Sequence, residues 1–219
     1  KDDWMKTFIK REEIKDHLFD GMSIMVGGFM CIGTPEVIVD EIVKSNVKDL
    51  TIICNDAGLP GKGVGKLIEN GQVQKLVASH IGLNPMAGQL MGEEKLIVHL
   101  IPQGTLAEKI RAGGAGLGGF LTPTGLGTIV EKGKDILKVD GKEYILELPI
   151  RADLAILYGT TVDTHGNVLY TKTTRNFNPL MATATDNVIV QARQVIDVLD
   201  PDTIHTPHIF VDYVVKEVE

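Results

Sequence analysis

Ser23-Ile24-Met25-Val26-Gly27-Gly28-Phe29-Met30-Cys31-Ile32-Gly33-Thr34-Pro35 is an apolar strand that runs through a glycine-rich turn straight into a helix. In α/β folds that junction is where anionic ligands bind. Gly27, Gly28 and Gly33 let the backbone turn sharply and approach a ligand without a Cβ in the way. Pro35 suits the first turn of a helix carrying Val37, Ile38 and Ile42, whose N-terminal amides would face a diphosphate or a carbonyl. This first strand-loop-helix unit ends near Ser45.

Upstream, Ile14, Leu18 and Phe19 are spaced for an amphipathic helix from Arg11 to Phe19, closed by Asp20-Gly21. Downstream, Leu50 to Cys54, Lys75 to Ala78 and Leu96 to Leu100 are continuous apolar runs separated by helical or loop segments, which predicts a parallel sheet buried on both faces. Gln103-Gly104-Thr105 leads a short helix, Leu106 to Arg111. Seven of the fifteen residues from Gly113 to Gly127 are glycine, and the internal Thr122-Pro123-Thr124 favours a backbone-lined site over a flexible loop. Asp135 to Val139 and Tyr144 to Leu148, joined around Asp140-Gly141, read as a β-hairpin. Leu154 to Tyr158 and Val188 to Val190 read as buried strands, Gly166 to Tyr170 as a short hairpin arm, and Pro179 as the start of a small helix through Met181 and Ala184. Ile209 to Val215 is a last strand, at the sheet edge or an interface. No internal repeat or linker is visible, so the reading is one α/β domain over residues 1–219: a mainly parallel sheet flanked by helices, with a β-hairpin insertion.

A chain of 219 residues with 43% hydrophobic content can bury one substantial core. The net charge of -7, with basic residues scattered, argues against nucleic-acid binding by bulk electrostatics. No apolar run reaches bilayer length, and Lys1-Asp2-Asp3-Trp4 does not read as a signal sequence, so a cytoplasmic protein with no membrane partner is expected. Cys31 and Cys54 lack zinc-site spacing and read as reduced, small apolar residues, although a place at a helix N-terminus would favour the Cys31 thiolate. Histidines stand at 17, 80, 99, 165, 205 and 208; His205 and His208 are close enough for a ligand pair but have no cysteine or carboxylate cluster beside them, and no metal is expected. His99 reads as a hydrogen-bonded core or interface group, and Glu93-Glu94, Thr160-Thr161 and Thr173-Thr174 as solvated turns.

Six blocks occur in order: Gly27 to Pro35, Asn55-Asp56, Pro102 to Glu108, Arg111 to Gly116, Thr122 to Gly125, and Asn176 to Ala182. Together they resemble the α subunit of the family I coenzyme A transferases, over nearly the whole length. The resemblance implies a fold shared with those enzymes and with ribose-5-phosphate isomerases, and CoA transfer between short-chain acids such as acetate or butyrate and acetoacetate. It implies coenzyme A as a substrate, with no tightly bound cofactor. It places Gly27, Gly28, Phe29, Met30, Cys31, Ile32 and Gly33 at the coenzyme, and Asn55, Gln103, Gly114 and Gly116 at the acyl group. In that family the nucleophilic glutamate resides in a β subunit or a C-terminal half, so no catalytic nucleophile is expected in this chain and a β-subunit partner is, in a hetero-oligomer such as α2β2 or larger. Glu69-Asn70-Gly71 looks like the family's catalytic tripeptide, but it follows Lys66-Leu67-Ile68 on a helix with a glycine cap, and Glu69 reads as a solvated helix residue. Lys62, Lys66 and Arg111 are candidates for the coenzyme's phosphates. His208, where the family usually has glycine, and Gln191 and Arg193, near which it has acidic residues, are departures. The alternative is a non-catalytic small-molecule binding module on the same scaffold. Lys1 to Gly21 offers only one helix for a DNA-binding unit, and glycine, threonine, asparagine and glutamine suit a carbonyl or thioester better than proton abstraction.

Overall fold

The structure, a computed structural model, describes residues 6–218; the Lys1–Trp4 segment read above lies outside them. The chain opens with β1 (Thr7–Phe8) and a 3₁₀ helix over Arg11–His17. It then alternates through β2 (Ser23–Val26), α1 (Glu36–Ser45), β3 (Leu50–Cys54), α2 (Val64–Glu69), β4 (Val73–Ala78), α3 (Pro85–Gly92), β5 (Ile97–Leu100) and α4 (Gln103–Gly114). An insertion of β6 (Phe120–Thr122), β7 (Ile136–Val139) and β8 (Lys142–Glu147) precedes β9 (Ala152–Asp163), β10 (Val168–Leu169), α5 (Asn178–Thr183), β11 (Thr185–Ile196) and β12 (Tyr213–Lys216). The main sheet has the order β1-β12-β11-β9-β2-β3-β4-β5, every neighbour parallel, with β10 antiparallel on β9.

Because side chains alternate across a strand, each central strand feeds two cores. Ile24, Val26, Ile52, Cys54 and Leu76 face α1, α2 and α3, where Ile38, Ile42, Leu67 and Ala87 meet them. Met25, Ile53, Val77, Ala155 and Leu157 face Leu106 and Ile110 of α4 and Met181 of α5. Each Val, Leu, Ile or Met side chain fully buried there contributes about 1.5–3 kcal/mol. The glycine loops after β2 and β3 emerge from the same, carboxyl, end of these strands, where the two layers part.

Several elements differ from the sequence reading. The first helix is a 3₁₀ turn ending at His17; of its residues only Ile14 is buried, and Leu18 is already extended. Helix α4 is twelve residues long and includes Gly113 and Gly114. A Cβ on Gly113 would lie 2.0 Å from Ile150 O and one on Gly114 1.9 Å from Thr183 Oγ1, so the helix packs too closely there for any larger residue. Strand β5 is an edge, its Ile97, His99 and Leu100 exposed, so both-face burial fails there and His99 is not a core group. Strand β12 lies inside the sheet, with β1 outside it. The hairpin is as expected, with Asp140 and Gly141 at φ 48° and 77°, both left-handed as a two-residue turn requires. It gains β6 as a third strand. Buried Glu147 ties this small sheet to α4, accepting from Lys109 Nζ at 2.9 Å and Lys134 Nζ at 2.5 Å. Burial pushes its carboxyl up, but the two ammonium groups outweigh that and hold it below the usual range.

Candidate functional site

The loops after β2 and β3 share one plan. In the first, Phe29 and Ile32 exchange backbone hydrogen bonds of 3.0 and 2.9 Å across Met30 and Cys31, whose φ angles are 50° and 63°. In the second, Lys62 N–H donates to Leu59 O at 3.0 Å across Pro60 and Gly61. Gly28 and Gly33 flank the first turn and recur thirty residues on as Gly58 and Gly63, all four at positive φ. The glycine spacing repeats while the turns between differ, since Pro60 cannot take the positive φ that Met30 has.

Carboxylates and carboxamides brace the loops. Met30 N–H donates to Asp56 Oδ2 at 2.6 Å, and Gly58 N–H to Asp56 Oδ1 at 2.9 Å. Gly63 N–H donates to Glu36 Oε1 and Gly61 N–H to Glu69 Oε1, each at 2.8 Å, so Glu69 is engaged in holding the second loop. From the other side, Gly28 N–H donates to Asn176 Oδ1 at 3.1 Å, Asn176 Nδ2 to Ile32 O at 3.0 Å and Asn178 Nδ2 to Gly33 O at 3.0 Å.

These segments enclose a cleft of about 380 Å³. Phe29, Ile32 and Phe177 make its apolar wall; Asn55, Gln103, Thr173 and Asn176 supply polar groups. Asn55 follows β3 and Gln103 begins α4, and Gln103 Nε2 donates to Asn55 Oδ1 at 2.8 Å. Ser79 Oγ shares its one hydrogen between Asn55 O at 2.7 Å and the same Oδ1 at 2.9 Å. With Oδ1 so occupied, the carboxamide is fixed, and among the described residues nothing accepts from Asn55 Nδ2. The arrangement is apolar with a few convergent donors, suited to a short acyl chain ending in a polarised carbonyl.

The structure brings Asn55, Gln103, Phe29 and Ile32 together; Gly114, inside α4 against Thr183, and Gly116, just past that helix, do not border the cleft. The loop glycines answer to protein packing: a Cβ at Gly27 would lie 1.9 Å from Asn178 Oδ1, at Gly28 1.9 Å from Thr34 Oγ1, and at Gly33 2.5 Å from Thr174 O. At the start of α1, Val37 N–H is taken by Gln191 Oε1 at 2.8 Å and is not presented to a ligand. Burial chiefly, then Glu36 and Asp56, push the Cys31 thiol up and outweigh the Leu59 backbone and Lys62, which lower it; this is opposite to the thiolate a helix N-terminus would favour. Burial pushes the Cys54 thiol up further. Lys66 pairs with Glu36 and Asp40, both at 2.5 Å, and Arg111 with Glu108 at 2.9 Å; among the described residues Lys62 has no ion-pair partner. His205 Nδ1 accepts from Tyr170 N–H at 3.0 Å and His208 meets Asn167. Among the described residues no group of three or more His, Cys, Asp or Glu could hold a metal, and no helix is long and apolar enough to cross a membrane.

Sequence reasoning gave no role to Asp56 or to Thr173, Asn176 and Phe177, and took Thr173-Thr174 for a solvated turn. The signal was the pair of asparagines around Phe177 ahead of Pro179: short carboxamides that can hold loop backbone in unusual conformations, Asn176 itself standing at φ 24°.

Comparison with known proteins agrees with this geometry. The family model described as "Coenzyme A transferase" matches residues 10–217. The chain is 50% identical over 211 residues to the acetoacetyl-CoA:acetate/butyrate CoA transferase alpha subunit of Clostridium acetobutylicum, covering 95% of this chain and 97% of that one. It is 52% identical over 202 residues to the acetate CoA-transferase subunit alpha of Escherichia coli, covering 91% and 92%. Among solved structures, an Escherichia coli acyl-CoA transferase superposes with a TM-score of 0.84 at 21% identity, covering 98% of this chain, which spans about half (47%) of that one. Glutaconate coenzyme A-transferase of Acidaminococcus fermentans gives 0.80 at 19% identity, over 96% and 75%. At those identities the two structures show the fold alone.

Proposed function

This chain belongs to the coenzyme A transferase family, and we propose that it is the α half of an enzyme that moves coenzyme A between acetoacetate and acetate or butyrate in the cytoplasm, with the nucleophile supplied by a β subunit in an α2β2 or larger assembly. The substrates are those in the names of the relatives at 50% and 52% identity, and both relatives are named as alpha subunits.

In the reaction we infer, a glutamate of the partner attacks the thioester carbonyl of the acyl-CoA, and CoA thiolate leaves as the mixed anhydride forms. The thiolate then attacks the glutamyl carbonyl, giving an enzyme–CoA thioester and releasing the first carboxylate. A second carboxylate runs the steps backwards: it displaces the thiolate to form a new anhydride, and the thiolate takes the acyl group and frees the glutamate. Each addition puts negative charge on a carbonyl oxygen. Asn55 Nδ2 and the second N–H of Gln103 Nε2 are the donors this chain offers to that oxygen, and one preorganised donor is typically worth about 3–4 kcal/mol in the transition state. Phe29, Ile32 and Phe177 receive the acyl chain, and Lys62 is the cation best placed for a coenzyme phosphate because it alone of the three candidates is unpaired among the described residues.

The observation that carries this reading is the Gln103–Asn55 hydrogen bond at the cleft, which fixes two carboxamides beside an apolar wall. The test is formation of acetyl-CoA from acetoacetyl-CoA and acetate, by the purified chain alone and after adding the β subunit. Activity only in the mixture is expected. Activity of the chain alone would overturn the division of labour and make Glu69 the first residue to mutate.

A further inference from the structure

We propose that Asp56 is a positioning residue for the transfer: by anchoring the left-handed Met30–Cys31 turn, it keeps Phe29 and Ile32 in the wall of the cleft and so helps set which acyl chain fits. The proposal rests on the transferase reading above.

Met30 and Cys31 carry side chains yet stand at φ 50° and 63°, a region such residues keep only where their surroundings hold them. The reciprocal Phe29–Ile32 hydrogen bonds close a two-residue turn, which favours the left-handed form, but Met30 and Cys31 have Cβ atoms that oppose it. The strain is offset by what reaches the central residues from outside. Their backbone is reached by Asp56, whose Oδ2 accepts Met30 N–H at 2.6 Å. Asp56 is itself immobile: it is 5% exposed, and its Oδ1 accepts Gly58 N–H of the second loop at 2.9 Å. Its chain neighbour Asn55 lines the cleft, so one short segment supplies a carboxamide on one side and restrains the apolar wall on the other. Both carboxylate oxygens are used as acceptors. A carboxamide has only one acceptor oxygen and would turn its NH₂ towards the second amide, so Asp56→Asn keeps the size of the side chain and loses one anchor.

The experiment compares kcat/KM for butyryl-CoA and acetyl-CoA, with acetoacetate as acceptor, in the assembled enzyme carrying wild-type chain, Asp56→Asn, or Asp56→Asn with Met30→Gly. A displaced apolar wall penalises the longer chain, so Asp56→Asn is expected to lower the butyryl-to-acetyl ratio roughly tenfold, mainly through KM. Adding Met30→Gly lets the turn take its left-handed form without strain and is expected to move the ratio back towards wild type. An equal loss for both acyl groups, or no recovery in the double variant, would overturn the proposal, since general structural damage changes both substrates alike. Hydrogen exchange at the Phe29 and Ile32 amides of the full chain gives a second decision that needs no activity. Faster exchange in Asp56→Asn supports the anchor, and unchanged exchange rejects it. A wild-type enzyme that moves no CoA would sink the transferase reading instead, and the exchange result would still stand.

Discussion

Gln103 shows how little separates a wall from a catalyst: one of its amide hydrogens is spent on Asn55 Oδ1, and the other is left for the cleft. Gln103→Ala in the assembled enzyme is expected to lower kcat by roughly 10²–10³-fold with a smaller change in KM, because the donor acts on charge that exists only in the transition state. Steady-state kinetics with acetoacetyl-CoA decide it; a pure KM effect would make Gln103 a binding residue only. Gly27 is constrained by packing. Asn178 is fully buried and held by Tyr158 N–H at 3.2 Å and Gly33 O at 3.0 Å, so it cannot yield to a new methyl group. Gly27→Ala should cost about 1–3 kcal/mol in urea unfolding. Asp163, like Glu147, contributes to the acid limb of stability. It is fully buried, which alone raises its pKa, but Asn167 Nδ2 and the backbone N–H groups of Leu199, Asn167 and His165 together hold it below the usual range. A depressed pKa means stability that is present above the unfolded value near pH 4 and lost as pH falls through the folded one. The melting temperature should therefore be flat above about pH 5 and drop below about pH 4, and Asp163→Asn should melt lower at neutral pH with a shallower acid slope.

Among the elements, α1 depends most on a distant residue. Its Val37 amide is satisfied by Gln191 of β11, which is buried, so Gln191→Ala leaves an unpaired donor at the helix start and should cost about 1–2 kcal/mol, with faster exchange at Val37. That contact spans 154 positions and leaves no local trace, which is why the sequence suggested a ligand there. Strands β2 to β4 were legible because a strand covered on both faces reads as a continuous apolar run, and the turn at Asp140-Gly141 because few other pairs accept two left-handed angles. Strands β9 and β11 were read at under half their length: both continue past the apolar stretch, through Gly159 to Asp163 and Gln191 to Ile196, held by their mutual register. Strand β1, two residues long, has no periodicity to detect. At the site, Asn55, Gln103 and the glycine loop stood out through the family resemblance of the blocks that hold them, whereas the contacts of Asp56, Asn176 and Phe177 depend on where the chain brings them.

At the level of the whole molecule, Phe29 and Ile32, with Met30 between them in the turn, stand 37–51% exposed, and the first two line a cleft whose nucleophile, on our reading, comes from a partner. Cys31 sits among them, half-buried, and Cys54 is buried, so a thiol reagent should label Cys31 and spare Cys54, slowly at neutral pH because the Cys31 thiol is pushed up, and faster as pH rises. Adding the β subunit should slow labelling of Cys31; an unchanged rate would place the partner elsewhere. The sheet's far edge carries a different consequence. Strand β1 lies on β12, Thr7 beside Tyr213 and Phe8 beside Val214, and among the described residues β12 is its one neighbour in the sheet. A ribosome delivers residue 7 long before residue 213, at some 5–20 residues per second, so β1 waits for the intervening chain to be made before the neighbour it will pair with appears. The β2–β5 half can form early from contacts close in sequence, while the β1–β12 pairing closes last and makes the completion of the fold a signal that synthesis has run past Tyr213.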